Sequence, residues 1–159
     1  MRVAELATIG YESATVQTFL EALSSHGIDL LIDIRAVASS RRPGFAKSAL
    51  TANLASAGIE YLHLRDLGTP AEGRAAARAG RHAEMRRIFE QHLATHEAQA
   101  ELATVVEIVR SGRRACLLCL EADPTHCHRS LVAQALAARM PLRVVNLRPA
   151  PLSDRTEPT

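Results

Sequence analysis

The sequence predicts an α/β domain, three-layer α/β/α, built around a mainly parallel five-stranded sheet. Three observations carry this expectation. Short runs that are apolar at nearly every position alternate with longer stretches whose apolar residues recur at helical spacing, the pattern of strands buried on both faces and separated by helices. Three helical stretches end in glycine, at Gly27, Gly58 and Gly112, with a strand run close behind; glycine there relieves the left-handed turn that closes a helix. Polar side chains gather just after the strand runs, where α/β proteins place their functional groups.

Val3 to Ile9 reads as the first strand, leading into Gly10 and Tyr11. Ser13 or Thr15 can cap the next helix, whose Val16, Phe19, Leu20 and Leu23 share one face. Asp29 to Arg35 is a second strand with a polar exit. A loop with Ser39, Ser40, Arg41, Arg42, Pro43 and Gly44 follows, then a short helix presenting Leu50, Leu54 and Ala57. Ile59 to Leu64 is a third strand. Residues 71–80 are rich in Ala, Arg and Gly and carry no clear apolar stripe. Helical spacing resumes at Met85, Ile88 and Phe89 and again at Leu102, Val105, Val106 and Val109. Ala115 to Leu120 is the fourth strand, residues 128–140 a helix, and Leu142 to Leu147 the fifth strand. This makes one domain over residues 1–148 with a loose, Pro- and charge-rich tail at 149–159.

Composition narrows the function. With 159 residues, 47% apolar and 23% charged, the chain can bury a full core. A net charge of +2 is too small to argue for nucleic acid by itself, and 3% aromatics argue against a base-stacking platform. No stretch approaches the roughly eighteen apolar residues of a membrane span, and the first residues lack a basic-then-apolar signal. Three cysteines, an odd number, do not suggest a secreted disulfide framework. A reduced, cytoplasmic protein is expected.

Function centres on Arg114 to Leu136, RACLLCLEADPTHCHRSLVAQAL. A strand ends at Glu121, a polar loop follows, and Cys127, His128 and Arg129 arrive together at a helix start, where free N–H groups favour anions and thiolates. Arg129 suits a carboxylate or phosphate. Cys127 is either a thiol activated by that corner or a thiol packing the helix start. The exits of strands one, two and four, if neighbours, would collect Thr8, Gly10, Tyr11, Ser13, Asp33, Arg35 and the Arg41–Arg42 loop beside them. Asp33 and Arg35 are either part of the pocket or partners of each other. Cys116 and Cys119 are spaced C-x-x-C, but in a strand residues three apart face opposite sides. Cys119, His126, Cys127 and His128 could supply ligands, yet no second tight pair appears, so no zinc or other cofactor is expected.

TIGYES, LLIDIRAVASSRRPGF, GIEYLHLRDLGTPAEGR and CLLCLEADPTHCHRSLVAQAL resemble the domain-of-unknown-function 488 family over nearly the whole chain. The resemblance implies a three-layer α/β fold and a polar cluster of Thr8, Gly10, Asp33, Arg35, Ser40, Arg41, Glu121, Cys127, His128 and Arg129, with no assigned reaction. LLIDIR also looks like a rhodanese strand, but rhodaneses and cysteine phosphatases put an arginine about six positions after the cysteine, whereas Arg129 follows Cys127 by two and Cys119 by ten. That likeness is fold-level only. The expected function is an enzyme of undefined reaction. Arg35, Ser40, Arg41 and Arg129, with Thr8 and Gly10, bind a small anion, and Cys127, His128, Asp33 and Glu121 carry the chemistry. The alternative is a non-catalytic module that contacts nucleic-acid phosphate through Arg41, Arg42, Arg74, Arg78 and Arg81.

Overall fold

Strands apolar on both faces need cover on both, and the chain provides it by alternating strand and helix. A computed structural model describes residues 3–121, 123 and 127–149. The order is β1 (Ala4–Gly10), α1 (Val16–Ser25), β2 (Leu30–Asp33), α2 (Lys47–Ser56) and β3 (Glu60–His63), then a 3-10 turn at Arg65–Leu67. It continues with α3 (Ala71–Arg78), α4 (His82–Leu93), α5 (His96–Arg110), β4 (Ala115–Cys119), α6 (His128–Ala137) and β5 (Leu142–Leu147). The sheet runs β3-β2-β4-β1-β5 and every neighbouring pair is parallel. This is the α/β class the sequence predicts. The expected tail at 149–159 lies, beyond residue 149, outside the described residues.

Burial alternates along the central strands as a pleated sheet requires. Ala7, Ile9, Leu31, Cys116 and Leu118 pack with Phe19 and Leu23 of α1 and Leu50 and Leu54 of α2. Leu6, Leu30, Ile32, Ala115 and Leu117 face the other way, onto Phe89 of α4, Leu102 and Val105 of α5, and Val132 and Leu136 of α6. Thr15 caps α1 with a reciprocal bond to Thr18, and Thr95 caps α5 through the Ala98 N–H. Thr95 also explains why α4 and α5 are two helices, since the chain leaves helical geometry at a residue suited to begin the next one.

Most element ends shift by one to three residues, and two departures from expectation have a physical reason. β2 ends at Asp33, yet the Ile34 N–H still reaches the Leu118 carbonyl at 3.2 Å, so the chain leaves the sheet only afterwards. Residues 71–78 form a helix although they lack an apolar stripe. Alanine has high helix propensity, and α3 needs to bury only Gly73 and Ala76, in a layer shared with α4. No helix among the described residues is long and apolar enough to cross a membrane.

Leu31 is fully buried in the sheet, among the side chains of α1 and α2. Leu31→Ala should lower stability by about 2–5 kcal/mol, read as a fall in urea midpoint at unchanged slope. A loss under about 1 kcal/mol would mean that this layer is not the close-packed core described.

Candidate functional site

Strand order makes the site. β4 sits between β2 and β1. β1 and β2 are followed by α1 and α2 on one face, whereas β4 is followed by α6 on the other. Neighbouring strands whose connections leave to opposite faces open a crevice at their carboxyl ends, the usual ligand position in such sheets. Gly10 and Cys119, partners in register at the ends of β1 and β4, form its base. Gly10 has no substitute: an added Cβ would collide with the Glu121 carbonyl and come within 2.7 Å of Arg129 Nη1.

Arg129, in the first turn of α6, is completely buried. Its Nε donates to Thr8 Oγ1 at 3.1 Å, and its Nη1 donates to Cys119 Sγ at 3.3 Å and to the Glu121 carbonyl. Thr8 Oγ1 in turn donates to Asn146 of β5. Burial lowers the Arg129 pKa.

Asp33 and Arg35 satisfy each other. Arg35 Nε and Nη2 meet the two Asp33 oxygens at 2.9 and 2.7 Å, and Tyr61 Oη donates to Asp33 Oδ2 at 2.6 Å. Arg35 Nη1 donates to the Phe45 carbonyl at 2.8 Å and to Tyr11 Oη at 3.2 Å. Burial alone would lower the Arg35 pKa, but the Asp33 bonds and charge outweigh it and raise it. Burial, then the Asp33 bond, raises that of Tyr61.

His128 Nε2 lies 2.8 Å from the Ile34 carbonyl. A carbonyl only accepts, so Nε2 carries the proton and the lone pair sits on Nδ1, which faces Cys127 Sγ at 3.7 Å. Burial pushes the His128 pKa down to about 4, so the ring is neutral near pH 7. Cys127, expected as a free thiol, is instead placed as a disulfide with Cys119, their Cα atoms 7.3 Å apart. Helix α6 brings the two together by covering the face to which Cys119 points. Cys116 points the other way, and burial raises its pKa.

A cavity of about 480 Å³ opens beside this cluster, with Arg35, Arg74, Arg78, Cys119, Glu121 and His128 on its wall. Burial raises the Glu121 pKa, which favours its protonated form. Of the residues singled out from sequence, Arg35, Glu121 and His128 reach this wall. Thr8, Gly10, Asp33, Cys127 and Arg129 stand behind it as support. Ser40 accepts from the Arg42 N–H within its own loop and Arg41 is exposed; neither lines the cavity. Tyr11, collected at this edge from sequence, also lines it, whereas Thr69 and Cys119 were not assigned to the pocket and Arg74 and Arg78 were assigned only to nucleic acid. The i, i+4 spacing of Arg74 and Arg78 on an alanine-rich segment was the available signal. A second hollow, about 530 Å³, lies at the opposite edge near Ala4, Ala115 and Arg114. There Arg113 pairs with Asp29 at 2.8 Å and Arg114 with Glu5 at 3.9 Å, and strand starts seldom host chemistry.

The family described as domain of unknown function DUF488 matches residues 15–136 of the chain. No curated protein and no solved structure matches it.

Two measurements test this site. Asp33→Asn leaves the Arg35 charge buried without its counterion and should cost about 3–5 kcal/mol, with much of the loss recovered in Asp33→Asn/Arg35→Met. Equal stability of wild type and Asp33→Asn would show that the pair is not held as described. For His128, the folded pKa of about 4 lies below the ordinary 6.5. Between those values the unfolded chain binds a proton that the folded chain refuses. Stability should therefore fall as pH drops from about 6.5 to 4, by on the order of 3 kcal/mol, and be unaffected by this group above that window. In metal-free buffer His128→Gln should flatten that part of the profile; an unchanged slope would refute a neutral, buried His128.

Proposed function

This chain belongs to the DUF488 family, and on that premise we propose that it is an enzyme acting on a small anionic substrate held in the cleft at the carboxyl end of β4. The observation that carries the reading is the division of labour among the arginines. Arg35 and Arg129 are buried and held by protein groups, whereas Arg74 is only half-buried and Arg78 exposed, and both open onto the same cavity. With Arg35 balanced by Asp33, Arg74 and Arg78 against the single carboxyl of Glu121 still give the wall a positive balance.

In this reading Arg74 and Arg78 grip the anion, and Arg35, fixed by Asp33, is a rigid positive wall behind it. Glu121, whose burial favours the protonated form, is the group positioned to give or take a proton. Cys119 rather than Cys127 presents sulfur to the cavity. The nucleic-acid alternative needs a solvent-facing track of free cations. Arg81 is paired with Glu84 at 2.9 Å, and Arg42 donates to the Ala14 carbonyl, so a small anion is the better fit.

The test is calorimetric titration with inorganic phosphate, small phosphate monoesters and small carboxylates. At least one class should bind, and Arg74→Ala or Arg78→Ala should weaken it tenfold or more, about 1.4 kcal/mol. If no anion binds, or if both variants bind as tightly as wild type, the cleft is not an anion site. Steeply salt-dependent binding of an oligonucleotide, lost in Arg41→Ala, would favour the alternative.

A further inference from the structure

Cys119 Sγ, Cys127 Sγ and a ring nitrogen of His128 all lie within 4.8 Å of one another, at the junction of β4 and α6. With the Cys119–Cys127 bond reduced, two thiols and this imidazole make a borderline-soft donor set, and three features point to an ion there. The first is the imidazole. The Ile34 carbonyl holds Nε2–H at 2.8 Å, so the Nδ1 lone pair faces the sulfurs. Histidines that bind metal are oriented by such a bond through their other nitrogen.

The second is spacing. Tetrahedral zinc bound by sulfur at about 2.3 Å and nitrogen at about 2.1 Å separates those two donors by about 3.6 Å. The observed Sγ–Nδ1 distance between Cys127 and His128 is 3.7 Å. The two cysteine Cα atoms are 7.3 Å apart, beyond the roughly 4.4–6.8 Å that disulfides span. An ion between the sulfurs suits that backbone spacing better than a covalent bond.

The third is charge. Two thiolates and a neutral imidazole neutralise a dication, and Arg129 Nη1, 3.3 Å from Cys119 Sγ, stabilises thiolate there. Cys119 and His128 both border the cavity, so an ion would have an entry path and a fourth position open to it.

We propose that Cys119, Cys127 and His128 bind one thiophilic divalent ion of the zinc type, with its fourth position turned to the cleft. Three protein ligands and one open position is the arrangement of reactive rather than purely structural zinc. The expectation from sequence set aside both Cys116 with Cys119, which do face apart, and the group Cys119, His126, Cys127 and His128, which shows no second tight pair along the chain. The set arises because α6 folds Cys127 and His128 onto Cys119, which a count along the strand does not contain. The inference stands on these three side chains, whether or not the cleft takes an anion.

The experiment uses the full chain, reduced and stripped of metal, then titrated with Co(II) or zinc with no anion ligand present. One equivalent should bind, with thiolate-to-cobalt charge-transfer absorption. Affinity should fall at least tenfold in Cys119→Ser, Cys127→Ser and His128→Gln and remain unchanged in Cys116→Ala. Should a serine variant fail to fold, wild type alone decides. Two thiols should alkylate slowly with zinc bound and faster once a chelator removes it, with buried Cys116 unreactive in both states. Absence of stoichiometric uptake by the reduced chain overturns the proposal. So does an affinity within tenfold of wild type in a folded Cys127→Ser.

Discussion

The buried guanidinium of Arg129 ties the functional edge of the sheet together. It sits at the head of α6 yet bonds to Thr8 of β1, Cys119 of β4 and the Glu121 carbonyl just beyond β4. A charge without solvent is tolerated only when its donors are met, and here three segments meet them. The same demand requires Gly10, because any side chain there would occupy the space of the Glu121 carbonyl and the guanidinium. Position of the β4 exit, orientation of α6 and placement of Cys127 and His128 all follow from satisfying one cation.

A second buried cation stiffens the neighbouring exit. Arg35 takes both oxygens of Asp33, and Tyr61 uses the remaining capacity of that carboxylate. Stacking of Tyr11 on Phe45, with centroids 4.6 Å apart, holds the Tyr11 hydroxyl and Phe45 carbonyl that receive Nη1. Such pairs add little net stability, because desolvation offsets attraction, but they set geometry. The two buried arginines thus form the frame, while Arg74 and Arg78 remain as the adjustable cations of the cleft.

The sulfur cluster depends on the same frame. Cys119 faces α6 because it is two and four residues beyond Leu117 and Ala115, which face that layer; Cys116 faces α1 and α2. The position of α6, fixed in part by Arg129, then decides which other donors meet Cys119. An imidazole locked by a main-chain bond and a thiol at the helix N-cap are the result. The proposed anion cleft and the candidate ion site therefore share one wall without sharing the residues that would hold each ligand.

Periodicity and helix-ending glycines were enough to read five parallel strands, two-sided burial and most helices from the sequence, because they are local consequences of pleat and helix pitch. Gly27, Gly58 and Gly112 do take left-handed φ values of 71°, 76° and 93° where expected. Arg35, Glu121 and His128 were legible for a related reason, since a strand exit shows in sequence as an apolar run meeting polar residues. Strand order was not legible: a strand apolar on both faces carries no mark of its neighbours. With it went the position of β4 between β1 and β2, and hence the crevice. Helix α3 escaped because two small buried residues make no stripe, so Arg74 and Arg78 had no assigned direction. Whether Cys119 meets Cys116 or Cys127, and whether Arg129 points to solvent or into the sheet, depends on contacts between segments distant in sequence, and only the packed structure decides those.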